Sequence, residues 1–237
     1  MREAIRKRCV CCKEMASVLL AQSSFCPGCF TERLEKGFFA EIRKALSHTF
    51  RNKVRKVLVV IEKNRLSSEV IQKIINKSDS AMIEYHYCTF SNDENDFCGN
   101  NYIRIESKEN THSSRVEALK EYCFNNNYSC VVFSHYSVEV AYEILKMITN
   151  GEVVQYTKAF KGDRIVSVCY PFYSVSYKSI AYFSFYSGIL TEPFRIKSDI
   201  IKEKENQAHM ALLRDLLKNS PASILNLIKV QQRVEDL

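Results

Sequence analysis

The segment Val57-Leu58-Val59-Val60-Ile61-Glu62-Lys63-Asn64-Arg65-Leu66-Ser67-Ser68 passes from an unbroken apolar run, through a charged turn, into a helix-forming sequence. Consecutive Val, Leu and Ile residues leave no polar face. A strand of that kind is covered on both sides, as the strands of parallel sheets are. Helical spacing follows at once, with Val70, Ile71, Ile74 and Ile75 marking a helix over residues 67–76 and Ser67 or Ser68 available to cap it. Outward from this unit the alternation continues. Residues 81–90 and 102–105 read as strands on either side of a polar loop over 91–101. Residues 112–126 read as a helix, 130–133 as a buried strand, 137–149 as a helix, 165–169 as a strand and 175–186 as a helix. Strands alternating with helices predict an α/β fold with a doubly wound parallel sheet. From residue 202 the sequence is helical, broken at Ser220-Pro221, where Ser220 can cap a second helix with Pro221 at its first position.

The turn between the first strand and helix is where an α/β nucleotide enzyme holds phosphate, because backbone N–H groups and a helix N-terminus converge there. Close approach to an anion requires glycines near one another. The chain has six, at 28, 37, 99, 151, 162 and 188, and none in residues 61–68. That turn begins instead with Glu62, whose charge opposes a phosphate, although Lys63 and Arg65 offset it. Loss of nucleotide binding is the expectation.

Before the first strand the sequence changes character. Cys9-x2-Cys12 and Cys26-x2-Cys29, thirteen residues apart, have the spacing of paired knuckles in which four thiolates enclose one structural zinc ion. A redox pair or free thiols are the alternatives. Cys11 contends with Cys12 as a ligand, but the x2 spacing is the better geometry. Gly28 fits a tight turn in the second knuckle, and residues 16–21 between the knuckles have hairpin character. Phe30, Leu34, Phe38, Ile42, Leu46 and Phe50 then recur every four residues, predicting an amphipathic helix with Arg33, Lys36, Arg43 and Lys44 between them. The other cysteines, 88, 98, 123, 130 and 169, are scattered, and Cys130 and Cys169 lie in apolar runs, which fits core packing. His135 follows a strand, a place where α/β proteins put functional loops.

The chain of 237 residues carries a net charge of +7, and the excess is local. Residues 1–56 hold 13 Lys and Arg against 5 Asp and Glu, so the remainder is close to neutral. An anionic partner such as RNA, or merely a solvated basic face, is implied for this part. Lysine-rich composition and the absence of an apolar run behind the charged N-terminus point to an intracellular, reduced protein. No stretch has the apolar length of a membrane span. The organisation expected is a four-cysteine module with its basic helix over residues 1–52, an α/β domain over 53–190 and a helical tail over 191–237.

With these residues in place, the sequence resembles the cytoplasmic tRNA 2-thiolation protein 2 family. The resemblance rests on Cys9-x2-Cys12-Lys13, on Phe25-Cys-x2-Cys-Phe30 with the basic helix behind it, and on the order of weaker matches. Residues 56–61 fall where the family has the first strand of its PP-loop ATPase fold. Residues 62–67 fall where active members carry Ser-Gly-Gly-x-Asp-Ser, of which only Ser67 is retained. Phe133-Ser134-His135 sits at a strand-end motif, and Tyr170-Pro171 resembles an Arg-Pro turn with the arginine replaced. Further cysteine pairs that the family usually carries toward its C-terminus are absent from this sequence.

The resemblance implies a PP-loop-like domain, a cytoplasmic location and a heterodimer with a catalytic tRNA thiolase subunit. It implies sulfur arriving from a ubiquitin-like carrier and a supporting, non-catalytic role in 2-thiolation of the tRNA wobble uridine. The residues expected to contact tRNA phosphates are Lys7, Arg8, Arg33, Lys36, Arg43, Lys44, Arg51, Lys53 and Arg55. Two other roles stay open at this point: an ATP-dependent sulfurtransferase relaying sulfur through Cys130 or Cys169, and a zinc-ribbon interaction protein outside tRNA modification.

Overall fold

The computed structural model describes residues 7–20, 23–48, 54–62, 65–78, 80–91, 102–109, 111–151, 166–190 and 207–234. The N-terminal part forms a two-stranded antiparallel ribbon, β1 (Val18–Leu20) and β2 (Ser23–Phe25), followed by helix α1 (Pro27–Ala45) and a 3-10 turn, Leu46–His48. The first unit of the sheet is β3 (Arg55–Val60), α2 (Leu66–Asn76) and β4 (Ile83–Phe90). Then come β5 (Tyr102–Ile105), α3 (His112–Asn125), β6 (Tyr128–Val132), α4 (Ser137–Thr149), β7 (Ser167–Cys169) and α5 (Tyr177–Tyr186). Helices α6 (Gln207–Asn219) and α7 (Pro221–Val234) complete the described chain. The loop read over 91–101 lies, after Ser91, outside the described residues, as do Arg51 and Lys53.

All five long-sheet strands are parallel, in the order β5-β4-β3-β6-β7. β3 is central and its two neighbours are reached by connections that leave in opposite directions, so the topological switch point lies between the carboxyl ends of β3 and β6. Alternate residues of a strand face opposite sides. Val57, Val59 and Ile61 accordingly join Cys130, Val132 and Cys169 under α1, α2 and α5. Leu58 and Val60 join Cys88, Phe90, Val131 and Phe133 under α3, α4, α6 and α7. The predicted doubly wound α/β architecture is therefore what the chain adopts.

α1 buries Phe30, Leu34, Phe38 and Ile42, the predicted four-residue period. It docks on the same sheet face, with Phe38 and Phe172 rings 5.6 Å apart and Ser167 Oγ donating to the Ala45 carbonyl at 2.8 Å. Gly28 is not a turn residue. It lies in the first turn of α1 with open space where a Cβ would stand, and the left-handed residue of the module is Lys13, at φ 68° in the first knuckle. Gly37 is exposed in the middle of the same helix, again with open space around it. A glycine there costs backbone entropy with no compensating fit. Gly37→Ala is expected to raise stability by about 0.5–1 kcal/mol, read as a higher urea midpoint at unchanged m-value.

The cap of α2 also differs from expectation. Its N-cap is Arg65, with no side-chain hydrogen bond at the cap, while Ser67 and Ser68 lie inside the helix and are buried. Ser68 Oγ accepts from the Glu62 backbone N–H at 3.1 Å and donates to Ser134 Oγ at 3.0 Å. Its hydroxyl is spent on tying the exit of β3 to the exit of β6.

Candidate metal centre and switch-point crevice

The two knuckles bring Cys9, Cys12, Cys26 and Cys29 together, with all four Sγ atoms within 4.8 Å of one another. Backbone hydrogen bonds fold the first knuckle back on itself: Cys9 N donates to Glu14 O at 2.7 Å and Lys13 N to Cys9 O at 3.1 Å. Val10 N reaches Ser24 O at 2.9 Å, locking that knuckle to β2. The second knuckle is the start of α1, where Cys26 is the N-cap, Pro27 follows it, and Cys29 N donates to Cys26 Sγ at 3.4 Å. Cys12 and Cys26 sulfurs are 3.5 Å apart. Cys11 is exposed and stands outside the group, so the x2 spacing selects Cys12.

Four thiols this close cannot all ionise without a cation. The backbone N–H of Cys12 is the main cause that draws Cys9 down to about 6. Cys29 is pushed up, first by its contact with Cys12 and then by Cys26. A metal ion removes that conflict, and an all-sulfur donor set is one that zinc and other thiophilic metals accept. Four cysteines able to hold one metal ion are thus present at the predicted positions.

The basic residues fall where the helix period puts them. Arg33, Lys36, Arg43 and Lys44 are exposed on the side of α1 opposite its buried stripe. Lys36 pairs with Glu32 at 2.6 Å, and the Arg33 guanidinium lies 5.3 Å from the Phe25 ring centroid. Lys7 and Arg8 are exposed beside the knuckles. Arg55 is half-buried at the start of β3.

At the switch point the structure gathers residues that lie far apart in sequence. Glu62 pairs with Arg65, and its other oxygen lies 3.5 Å from Arg115. Arg65 also faces Glu139 at 3.7 Å and His135 Nε2 at 3.4 Å. Arg115 lies 4.5 Å from the centroid of Phe90. His112 Nε2 and the Tyr170 hydroxyl are 2.7 Å apart, and Tyr170 stacks on Phe133. The two imidazoles have their centroids 5.4 Å apart. His135 is 6% exposed, and its Nδ1 has no hydrogen-bond partner among the described residues.

Burial sets the charges in this crevice. Desolvation, then the arginines, hold His135 well below the usual histidine range, and desolvation, then His135, does the same for His112. Glu139 is pushed up to about 7 by burial, against the pull of Arg65. Its Oε2 also accepts from the Tyr136 N–H at 3.1 Å, closing the first turn of α4. Only Glu62, Arg65 and His135 were visible as candidates in the sequence. Arg115, His112 and Glu139 come from α3 and α4, and no interval in the sequence marks them.

The carboxyl raised above its unfolded value lends stability that is present below about pH 4.5 and lost as pH rises through about 7. The lowered histidines act in the opposite sense, their penalty vanishing as pH rises through 6.5. Glu139→Gln removes one falling contribution and leaves that of Glu143, whose carboxyl burial also raises to about 7. Between pH 5 and 6.5 the variant's unfolding free energy is expected to climb more steeply than the parent's by about 1.4 kcal/mol per pH unit, as measured by urea titration across that range.

Cys130 and Cys169 are 0% and 5% exposed on neighbouring strands. The mutual contact, then burial, raises the Cys130 thiol well above its ordinary value. Both sulfurs lie in the core, out of reach of an external sulfur donor, which speaks against a relay through either residue. Among the described residues, no helix is long and apolar enough to cross a membrane.

No protein-family model and no curated protein matches the sequence. In solved structures the fold does recur. The U34-tRNA thiolase NcsA from Methanococcus maripaludis, determined with its [4Fe-4S] cluster, superposes with a TM-score of 0.69 at 13% identity, covering 97% of this chain and 87% of that one. This corrects the expectation of a non-catalytic chain. That expectation rested on the missing glycines and on the resemblance to a non-catalytic subunit family, whereas the fold that spans nearly the whole chain is one an enzyme uses. The crevice at its strand ends gathers buried titratable groups shifted from their usual ranges, a feature that reaction sites share with structural ion-pair networks. The chain has the fold of a tRNA thiolase.

Proposed function

We propose that this protein takes part, as an enzyme, in 2-thiolation of the wobble uridine, U34, of tRNA. The observation that carries the reading is the shared fold with a U34-tRNA thiolase over 97% of the chain. The separation of roles within the chain supports it: a metal-braced, basic N-terminal module for holding tRNA, and a buried polar crevice at the switch point for chemistry. In the crevice, burial holds the imidazoles of His112 and His135 neutral, so that they act on a substrate as hydrogen-bonding groups. The unpartnered Nδ1 of His135 is the free valence for a substrate group. Arg65 and Arg115 would hold negative charge that develops beside them.

The ion assigned to the four cysteines is zinc. At a bond length of about 2.3 Å, four sulfurs around one tetrahedral ion stand ~3.8 Å apart, in keeping with sulfurs gathered inside 4.8 Å. A four-iron cube binds each thiolate to a different iron, and the iron–iron edge drives the sulfurs further apart. Closed four-sulfur coordination leaves no open position, so the ion's contribution is to brace the module.

Lys7, Arg8, Arg33, Lys36, Arg43, Lys44 and Arg55 supply the phosphate contacts, with Arg51 and Lys53 between them in sequence. A second, thiolase-type subunit, a ubiquitin-like sulfur carrier and a cytoplasmic location complete the proposal. Reversing both charges in Arg43→Glu/Lys44→Glu is expected to weaken tRNA binding and to reduce the slope of log K against log salt by about two, in filter binding over a salt series. An unchanged affinity and slope would remove α1 from the tRNA contact and leave the reading without its binding surface.

A further inference from the structure

α5 carries two stripes where an ordinary surface helix carries one. Ser179, Ile180, Phe183 and Ser184 are buried against the core. Lys178, Tyr182, Phe185 and Tyr186 sit at i, i+4, i+7 and i+8, a spacing that aligns them on the other side. There Phe185 is 53% exposed, and Tyr182 and Tyr186 are half-buried with their rings near parallel, 6.4 Å between centroids and 21° between planes. Phe185 packs edge-on against Tyr186 at 5.2 Å, and Lys178 Nζ lies 5.5 Å from the Tyr182 centroid. Tyr182 and Tyr186 pack with one side against the core and stay half-exposed on the other, and Phe185 extends from them into solvent. Three aromatics and a cation on one exposed face carry a solvation cost that a ligand would remove.

The surroundings point to the ligand's chemistry. Ring contacts run from Tyr182 to Phe30 at 6.2 Å and from Phe30 to Phe25 at 6.5 Å, and Phe25 lies beneath the Arg33 guanidinium. Two buried rings, Phe30 and Phe25, thus bridge the exposed aromatic face to the basic stripe of α1. No Asp or Glu occurs from Ile165 to Leu190. Flat rings stack on any nucleobase whose faces are exposed, and cations beside them meet the backbone phosphates. A protein partner is also commonly met by aromatics, so the charge decides the choice: Lys178 and Arg33 flank the rings, and this helix carries no acidic residue.

We propose that Tyr182, Phe185 and Tyr186 form a stacking platform for unpaired bases of the tRNA anticodon loop, with Lys178 and Arg33 on the flanking phosphates. The proposal rests on the tRNA reading above and deepens it: α1 holds the sugar–phosphate backbone, and α5 holds bases that are already out of a helix. The Tyr186 hydroxyl donates to Ser17 Oγ at 3.0 Å, which ties that ring to the cysteine module.

The test uses the full chain with three labelled probes: whole tRNA, a single-stranded oligouridylate and a fully paired RNA duplex. Phe185 is exposed and leaves the core untouched when replaced. Phe185→Ala is expected to weaken oligouridylate binding about tenfold, with a smaller loss for tRNA and none for the duplex. Phe185→Tyr, which keeps the ring, is expected to bind as the parent does. Photocross-linking of 5-bromouridine-substituted RNA should label the peptide spanning residues 177–186. Parent-like oligouridylate binding by Phe185→Ala, with tRNA binding still sensitive to Arg43→Glu/Lys44→Glu, would overturn the platform and leave the tRNA reading standing. Absence of binding to all three RNAs would overturn both. Loss of self-association or of a protein partner in Phe185→Ala, with RNA binding unchanged, would show the face to be a protein interface and overturn the platform.

Discussion

Replacing Cys26 with serine is expected to strip the metal from the protein and unfold its N-terminal module. Cys26 has two jobs at once. Its sulfur belongs to the four-cysteine group, and the same sulfur caps the first turn of α1. A structural ion of this kind contributes apparent binding energy on the order of 10 kcal/mol to folding, since the site does not exist in the unfolded chain. The loss spreads because α1 is not a detached appendage: Phe38 and Ile42 are fully buried in the core that also holds Val57, Val59 and Phe172. The expected readouts are a fall from about one metal ion per chain to near none and a loss of at least ~3 kcal/mol in stability, roughly 10 °C in melting temperature for a chain of this size. Cys11→Ser is the control. Cys11 is exposed and outside the group, so metal content and melting should match the parent. A metal-free, fully folded Cys26→Ser protein would refute the centre.

The second large effect is expected at Arg65. This guanidinium is shared by Glu62 and Glu139, and it stays charged because their attraction outweighs its burial. Arg65→Met leaves Glu139, 5% exposed, facing Glu62 with no cation of its own. Removing one partner of a buried pair costs about 3–5 kcal/mol, and the lower end applies here because Arg65 is a quarter exposed. The second substitution Glu139→Gln keeps the acceptor for the Tyr136 N–H while removing the orphaned charge. The double variant should recover most of the loss in urea unfolding at about pH 9, above the value of about 7 to which Glu139 is raised, where the parent's carboxyl is ionised. A single-variant loss below about 1 kcal/mol, the range of exposed pairs, would mean that the crevice is wetter than its geometry indicates.

What the sequence displayed, and what it hid, follows from how far each signal reaches. The apolar run at Val57–Val60 and the 3.6-residue pattern of α2 are local, and both elements stand where periodicity puts them. The four cysteines were legible because metal geometry imposes a spacing within each knuckle. The caps were less so. Ser67 and Ser68 look like a helix start by residue type, yet Arg65 takes the cap because Ser68 is needed to join the ends of β3 and β6. Gly28 looks like a turn and is helical, while the strained position falls to Lys13, a residue with no compositional mark. The crevice was the least legible. Its charges come from the β3 exit, the start of α3 and the start of α4, elements brought together by the crossovers of the sheet rather than by any sequence interval. The inference from a missing glycine loop to a missing activity considered one turn alone, whereas the fold around that turn is shared with an enzyme.

The most direct test of the thiolase reading is the thiolation state of U34 in tRNA from cells lacking this protein, resolved as retarded migration in a mercury-containing gel. Loss of the retarded species is predicted, with recovery when the parent chain is supplied and not when Cys26→Ser is. Retarded tRNA at parental levels in the cells lacking the protein would contradict the account at its centre.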